Sequence, residues 1–174
     1  MTTSDELVAE VLAAAGGEIV GRIRFQKIFY LLDQAGMKSG LSFRYHHYGP
    51  YSRELDDALD RAQALHGVRE DIKHRAVDGM PYSVLRLSDD QRSSKMNALG
   101  QLGGVGAQKL IGAMKARSST VLELAATIHW LWEVEKVADW RAELVRRKGV
   151  KTERGRVDQA IAVLKELDLA PVGA

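Results

Sequence analysis

Cysteine is absent from this 174-residue chain. Disulfides and thiolate metal sites are therefore excluded, and the composition fits a reducing compartment. The chain lacks any apolar run of the ~18 residues that a membrane span requires. It opens on MTTSDELVAE, which is polar and acidic, so no secretory leader is expected and the expected location is cytoplasmic. Charge of one sign is also scarce. A formal net charge of +2 is too small by itself to argue for nucleic acid.

Catalytic patterns are equally thin. The one compact nucleophile–base–acid set is Ser52, His47 and Asp56, but Ser52 suits a helix cap better and no oxyanion feature accompanies it. The acidic series Glu54, Asp56, Asp57 and Asp60 falls on an amphipathic helix, where first-turn carboxylates are expected. His46 and His47 stand side by side, and neighbours in a strand face opposite ways. A zinc site would need His66, His74 or His129 and a carboxylate to join. One of the two histidines is expected to close the core and the other to lie on the surface. The GQLGGVG run lacks the GxxxxGK[ST] pattern and a preceding strand. No enzyme, cofactor or metal is expected.

What is present is an ordinary globular composition, 45% hydrophobic and 28% charged, with material for a core. Its charge is unevenly spread. Residues 1–90 carry a net −3 and residues 91–174 a net +5, concentrated at Arg141, Arg146, Arg147, Lys148, Lys151, Arg154 and Arg156. Such a patch meets phosphate or an acidic partner, or it is a solvated helix end.

Residues 21–65 organise the chain. Phe25, Ile28, Phe29 and Leu32 fall at i, i+3, i+4 and i+7 of a helix, with Arg22, Gln26, Asp33 and Gln34 on its other face. LSFRYHHY at 41–48 is aromatic-rich and reads as a short strand. Gly49-Pro50 reads as the turn. Ser52 then caps a helix with Leu55, Leu59, Ala62 and Leu65 inward and Arg53, Glu54, Asp57, Asp60 and Arg61 outward. Arg22, Arg24 and Lys27 open a helix whose dipole disfavours cations, so they either meet phosphate or pair with Asp56, Asp57 or Asp60.

Around this stretch, Thr3 and Glu6 form a capping box before a first helix that Gly16-Gly17 ends, and Glu18-Ile19-Val20 reads as a link. Asp78-Gly79 marks a hairpin between a polar segment and Tyr82, Val84 and Leu85, with Pro81 limiting where the return strand starts. Helices follow at 88–99 and 107–117. A third, very apolar helix contains Val121, Leu122, Leu124, Ala125, Ile128, Leu131 and Trp132, with Thr120 and Glu123 as a second capping box. A short helix from Asp139 to Arg147 and a last one from Thr152 or Glu153, with Val157, Ile161, Leu164 and Leu167 inward, complete the chain. The expected fold is mainly α with a small β-hairpin, a winged-helix-like front (1–100) packed on a helical rear (101–174) in a single compact domain.

GRIRFQKIFYLLDQAG followed by FRYHHYGPYSRELDDALDRAQALHGV resembles the front half of the uncharacterised YwgA-like bacterial proteins. It is similar in layout to the broader Panacea group, which includes antitoxins and a SocA-type proteolytic adapter. The residues that carry the likeness are Gln26, Lys27, Phe29, Tyr30, Tyr48, Gly49, Pro50, Tyr51, Glu54 and Leu55. Tyr48 stands where a tryptophan often precedes the glycine-proline pair, which places the chain nearer the YwgA-like branch. The rear STVLELAATIHWLW and VDQAIAVLKELDL extend the likeness. The resemblance implies a non-catalytic protein-interaction module of antitoxin or adapter type, with a protein partner at Arg44, His46, Tyr48, Gly49, Pro50, Tyr51 and Glu54. The alternative is a winged-helix nucleic-acid binder using Arg22, Arg24, Lys27, Arg146, Arg147, Lys148, Lys151 and Arg154. The acidic outward face of the 52–66 helix opposes that alternative.

Overall fold

In the computed structural model, which describes residues 2–92 and 99–174, the front half follows the order helix, strand, helix, helix, hairpin. Thr3 opens α1 (Ser4–Ala14) with a complete capping box, its hydroxyl accepting from Glu6 N–H while the Glu6 carboxylate accepts from Thr3 N–H. Glu18–Val20 is not a link but a strand, β1, and α2 (Arg22–Leu32) follows it directly. A small antiparallel hairpin, β2 (Arg44–His46) and β3 (Gly49–Tyr51), leads into α3 (Arg53–Leu65). Then β4 (Val68–His74) and β5 (Pro81–Leu87) form the wing, paired from Val68↔Leu87 to His74↔Pro81. Pro81 stands at the first position of its strand, where a missing N–H is tolerated.

The three-stranded sheet has the order β1-β5-β4. Sequence reasoning missed β1 because three residues are too few to show a period. Only the pairing of Ile19 with Leu85 and the burial of both identify it. The front is therefore winged-helix-like, and it packs on a helical rear: α4 (Asp89–Arg92), α5 (Gly104–Lys115), α6 (Ser119–His129), α7 (Trp140–Lys148) and α8 (Arg156–Glu166). The expected helix at 88–99 is met at Asp89–Arg92. Its continuation lies outside the described residues, and Leu99 sits in a turn.

One apolar cluster runs from Leu7 to Leu167. In it α1 packs on α3, α2 on α6, and α6 on α8. Phe25, Ile28, Phe29 and Leu32 are wholly buried, each contributing roughly 1.5–3 kcal/mol. On α3, Leu55, Ala58, Leu59 and Ala62 point inward, but Leu65 is 69% exposed. Three turns of 3.6 residues from Leu55 reach 66, not 65. His66 takes the inward place, with Nε2 2.8 Å from the Asp5 carboxylate.

Two helix starts differ from expectation. Ser118, rather than Thr120, caps α6 by accepting from Val121 N–H, which frees Glu123 for another role. The last helix begins at Arg156, after a 3₁₀ turn at Gly149–Thr152. Ser52 caps α3 as expected, its hydroxyl accepting from Leu55 N–H at 3.2 Å. Replacing it (Ser52→Ala) removes that acceptor from a buried site and is expected to lower stability by about 0.5–2 kcal/mol in urea denaturation. An unchanged midpoint would mean that the Leu55 N–H has another partner.

Candidate functional site

The β2–β3 hairpin covers one face of α2, and this explains two departures from the expected pattern. Gln26 lies on the face read as solvent-facing and Lys27 is expected to meet phosphate or an aspartate of the next helix, yet they are 3% and 1% exposed. The turn itself is His47-Tyr48, while Gly49 and Pro50 lie buried inside β3. Gly49 has φ +84°, and a Cβ there would stand 2.7 Å from the Thr127 hydroxyl of α6. Only glycine lets the strand press so closely on the helix.

Beneath the hairpin lies a polar layer. Gln26 is bound to the Ser52 backbone in both directions, its Nε2 donating to Ser52 C=O (2.8 Å) and its Oε1 accepting from Ser52 N–H (3.0 Å). Lys27 Nζ donates to Pro50 C=O at 2.5 Å, and Lys148 Nζ to His47 C=O at 3.0 Å. Lys148 also pairs with Glu123 at 2.7 Å, where both side chains are 3% exposed, and Lys151 reaches the same carboxylate at 3.0 Å. Lys27 has no carboxylate within ion-pair distance among the described residues. Burial pushes its pKa down to about 8, with Glu123 pulling the other way.

Several concave surfaces flank this layer, among them one lined by Arg44, His46, Tyr51 and Glu54 on the α3 side of the hairpin. A cleft of about 240 Å³ between α2 and the hairpin is lined by Arg22, Gln26, Lys27, His46, Tyr51 and Asp56, among others. A shallower depression between the hairpin and α7 holds Tyr45, His46, His47, Arg147 and Lys148. A larger groove, about 1170 Å³, runs between the start of α2 and the wing. Arg22, Arg24, His74 and Arg75 line this groove with Tyr48, Tyr82 and Met80, and no carboxylate is among its lining residues.

The residues singled out from sequence separate here. Arg44, His46, Tyr48 and Glu54 are exposed and Tyr51 is half-buried, whereas Gly49 and Pro50 shape the hairpin from within. Of the cations, Arg22 chelates Glu70 (2.6 and 2.8 Å) and lies 3.6 Å from Asp56. The Arg22 hydrogen bonds hold the Glu70 carboxyl below its usual range. Arg24 donates to the carbonyls of Val20 and Arg117. Arg147 binds Glu135 and Glu143, and Arg146 binds Glu143. Arg147 also covers the Tyr45 ring, and Lys151 covers that of Tyr48. Arg154 stands exposed with φ +60°. Within the rear basic stretch, Arg146, Arg147, Lys148 and Lys151 are thus paired with carboxylates, the nearby Glu143 and the more distant Glu135 and Glu123.

His46 and His47 are both exposed, with ring centroids 5.1 Å apart, so neither closes the core. The reason is that His47 belongs to the turn rather than the strand. The core histidine is His129, whose Nδ1 lies 2.7 Å from the Tyr30 hydroxyl, and burial lowers its pKa. No group of three metal-ligating side chains occurs among the described residues. Sequence reasoning missed Glu123, and its position in the most apolar helix was the available signal.

No protein-family model matches the chain. It is 31% identical over 145 residues to a DNA ADP-ribosyl glycohydrolase of Thermus aquaticus, a match that covers 78% of this chain but only 37% of that protein. It is 26% identical over 151 residues to the uncharacterised protein YwgA of Bacillus subtilis, covering 87% of this chain and 89% of that one. The likeness to a YwgA protein expected from the front motif is therefore found, and it extends over most of both chains.

Two outcomes follow from the polar layer. Glu123→Gln leaves the buried Lys148 without a counter-charge and is expected to cost about 3–5 kcal/mol, read by urea denaturation. Lys27 binds fewer protons folded than unfolded between pH 8 and its ordinary 10.5. Stability therefore rises with pH across that window. Relative to Lys27→Met, the wild-type chain should gain stability between pH 8 and pH 10, by about 2 kcal/mol. Parallel stability–pH curves for the two proteins would show that Lys27 does not carry the effect.

Proposed function

We propose that the chain is a non-catalytic, winged-helix-type recognition module whose ligand is nucleic acid, held in the groove between the start of α2 and the wing. The observation that carries this is the lining of that groove: three arginines and a histidine, two tyrosines, and no carboxylate. Arginines beside exposed aromatic rings suit a phosphate backbone with stacked bases. Of the arginine pairs on this face, Arg75–Asp78 is exposed on both sides, the kind of pair that is worth little and exchanges readily for phosphate, whereas Arg22 stays chelated by Glu70. The relative that acts on DNA by its name lends further support, although this chain matches only 37% of it.

The path differs from that of a standard winged helix, which sets its second helix of the pair into the major groove. Here α3 exposes Glu54, Asp57 and Asp60, which repel a phosphate backbone. Single strands lying along the wing side avoid that face.

The same acidic face favours a second reading, a protein partner of antitoxin or adapter type like those of the Panacea group. Its contact surface would be Arg44, His46, Tyr48, Tyr51 and Glu54, with Gly49 and Pro50 setting the hairpin shape.

Fluorescence anisotropy with a labelled single-stranded oligonucleotide tests the first reading. Affinity should fall with salt, log K against log salt having a slope near −2 for three phosphates contacted on a single strand. Arg75→Ala should weaken binding and make that slope shallower by about 1. No binding at low salt, or a flat salt dependence, would move the assignment to the protein-partner surface.

A further inference from the structure

The narrow cleft between α2 and the hairpin has a chemistry that phosphate binding leaves unexplained. At about 240 Å³ it is smaller than the ~300–1,000 Å³ of a typical small-molecule pocket, a size for one flat ring system rather than an extended ligand. Its walls are rings. His46 and Tyr51 have centroids 5.2 Å apart with planes tilted by 37°, and the exposed Tyr48 adds a third.

Its polar groups are of opposite kinds. Lys27 only donates. Among the described residues its one hydrogen bond goes to Pro50 C=O, and no carboxylate neutralises it directly. Glu123, the nearest attractive charge, is already shared by Lys148 and Lys151. Asp56 only accepts. Its Oδ1 takes a hydrogen bond from Gln26 Nε2 at 3.1 Å and its Oδ2 takes one from the Tyr51 hydroxyl. Arg22 also faces Oδ1, 3.6 Å away and beyond hydrogen-bond length. An ionised carboxylate has about four acceptor positions, so two are not taken by these hydrogen bonds, on a side chain still 26% exposed.

A ligand that satisfies both residues must be flat, bring an acceptor to Lys27 and bring two adjacent N–H donors to Asp56. Adenine and cytosine each offer one exocyclic amine beside ring acceptors. Thymine and uracil offer a single N–H between two carbonyls. Guanine alone places two parallel donors, N1–H and the N2 amine, next to a carbonyl oxygen, the O6. Two parallel N–H groups on one carboxylate form the bidentate arrangement that carboxylates favour.

We propose that this cleft is a guanine-binding pocket, in which Asp56 accepts from N1–H and N2–H, Lys27 donates to O6, and Tyr48, Tyr51 and His46 supply the stacking faces. As a subsite for one unstacked base of a strand, it rests on the nucleic-acid reading. The base chemistry itself does not. The cleft and the groove share Arg22, Ile23 and Tyr48, so a strand in the groove can deliver a base to the cleft without leaving it.

Titration calorimetry of the full chain with GMP, AMP, CMP and UMP tests the pocket, and IMP, which lacks the N2 amine, tests the paired donors without any mutation. GMP should bind at least ~10-fold tighter than the other three and ~10-fold tighter than IMP. Asp56→Asn should lose GMP and gain xanthosine monophosphate, whose C2 carbonyl accepts from the new amide. Loss of packing alone would not produce that exchange. Equal affinity for GMP, AMP and IMP overturns the pocket. If labelled oligonucleotides still bind with a salt slope, the groove reading survives that result. Selectivity for GMP without oligonucleotide binding keeps the pocket and overturns the groove. Binding of neither overturns both.

Discussion

Buried charge beneath the β2–β3 hairpin is the constraint on which the front-to-rear packing depends. Glu123 on α6 faces Lys148 on α7 and Lys151 in the turn after it, while Lys27 on α2 approaches from the other side. Taking such groups out of water is costly unless each finds a partner. The partners are the carboxylate and two hairpin carbonyls, those of His47 and Pro50. An eight-residue hairpin, from Arg44 to Tyr51, thereby becomes the common ligand of helices from both halves. Gly49 completes the closure, because any side chain there would meet Thr127.

The same layer sets the electrostatics of the surface above it. Lys27 cannot be fully neutralised from within, since Glu123 already serves two other ammoniums. The cleft it lines therefore carries positive character at its floor, with Asp56 opposite. Further out, Arg22, Arg24 and Arg75 line the groove along the wing, Arg22 and Arg75 each paired with a carboxylate that is not among its lining residues, while α3 turns carboxylates outward. A near-neutral chain thus presents an arginine-lined groove and an acidic helix as neighbouring faces. Net charge conceals this, because the field at a surface depends on where the charges sit.

Much of the fold was legible in residue patterns. The capping signals at Thr3 and Ser52, the i, i+3, i+4, i+7 stripe of Phe25, Ile28, Phe29 and Leu32, and the Asp78-Gly79 hairpin are local features with local causes, and the structure contains them all. The errors share one physical origin. Gln26 looks like a solvent-facing residue and Lys27 like a partner for phosphate or an aspartate of the next helix, and only the hairpin laid over them makes them internal. Glu123 looks like half of a capping box, and only the approach of Lys148 and Lys151 makes it an ionic centre. Lys148 and Lys151 look like part of a free basic patch, and only Glu123, 25 and 28 positions away, shows that they are paired.

The sequence by itself determined the elements and their order, because helix caps, turn dipeptides and hydrophobic periods act within a few residues of one another. It also determined the winged arrangement, since a helix pair followed by a hairpin has few ways to bury its apolar faces. Tertiary structure alone decided which charges are partnered, which face of α2 is internal and where a ligand can enter. For Lys27 and Lys148 beneath the hairpin those depend on contacts 23 and 101 positions apart, and no local pattern records a partner at that distance.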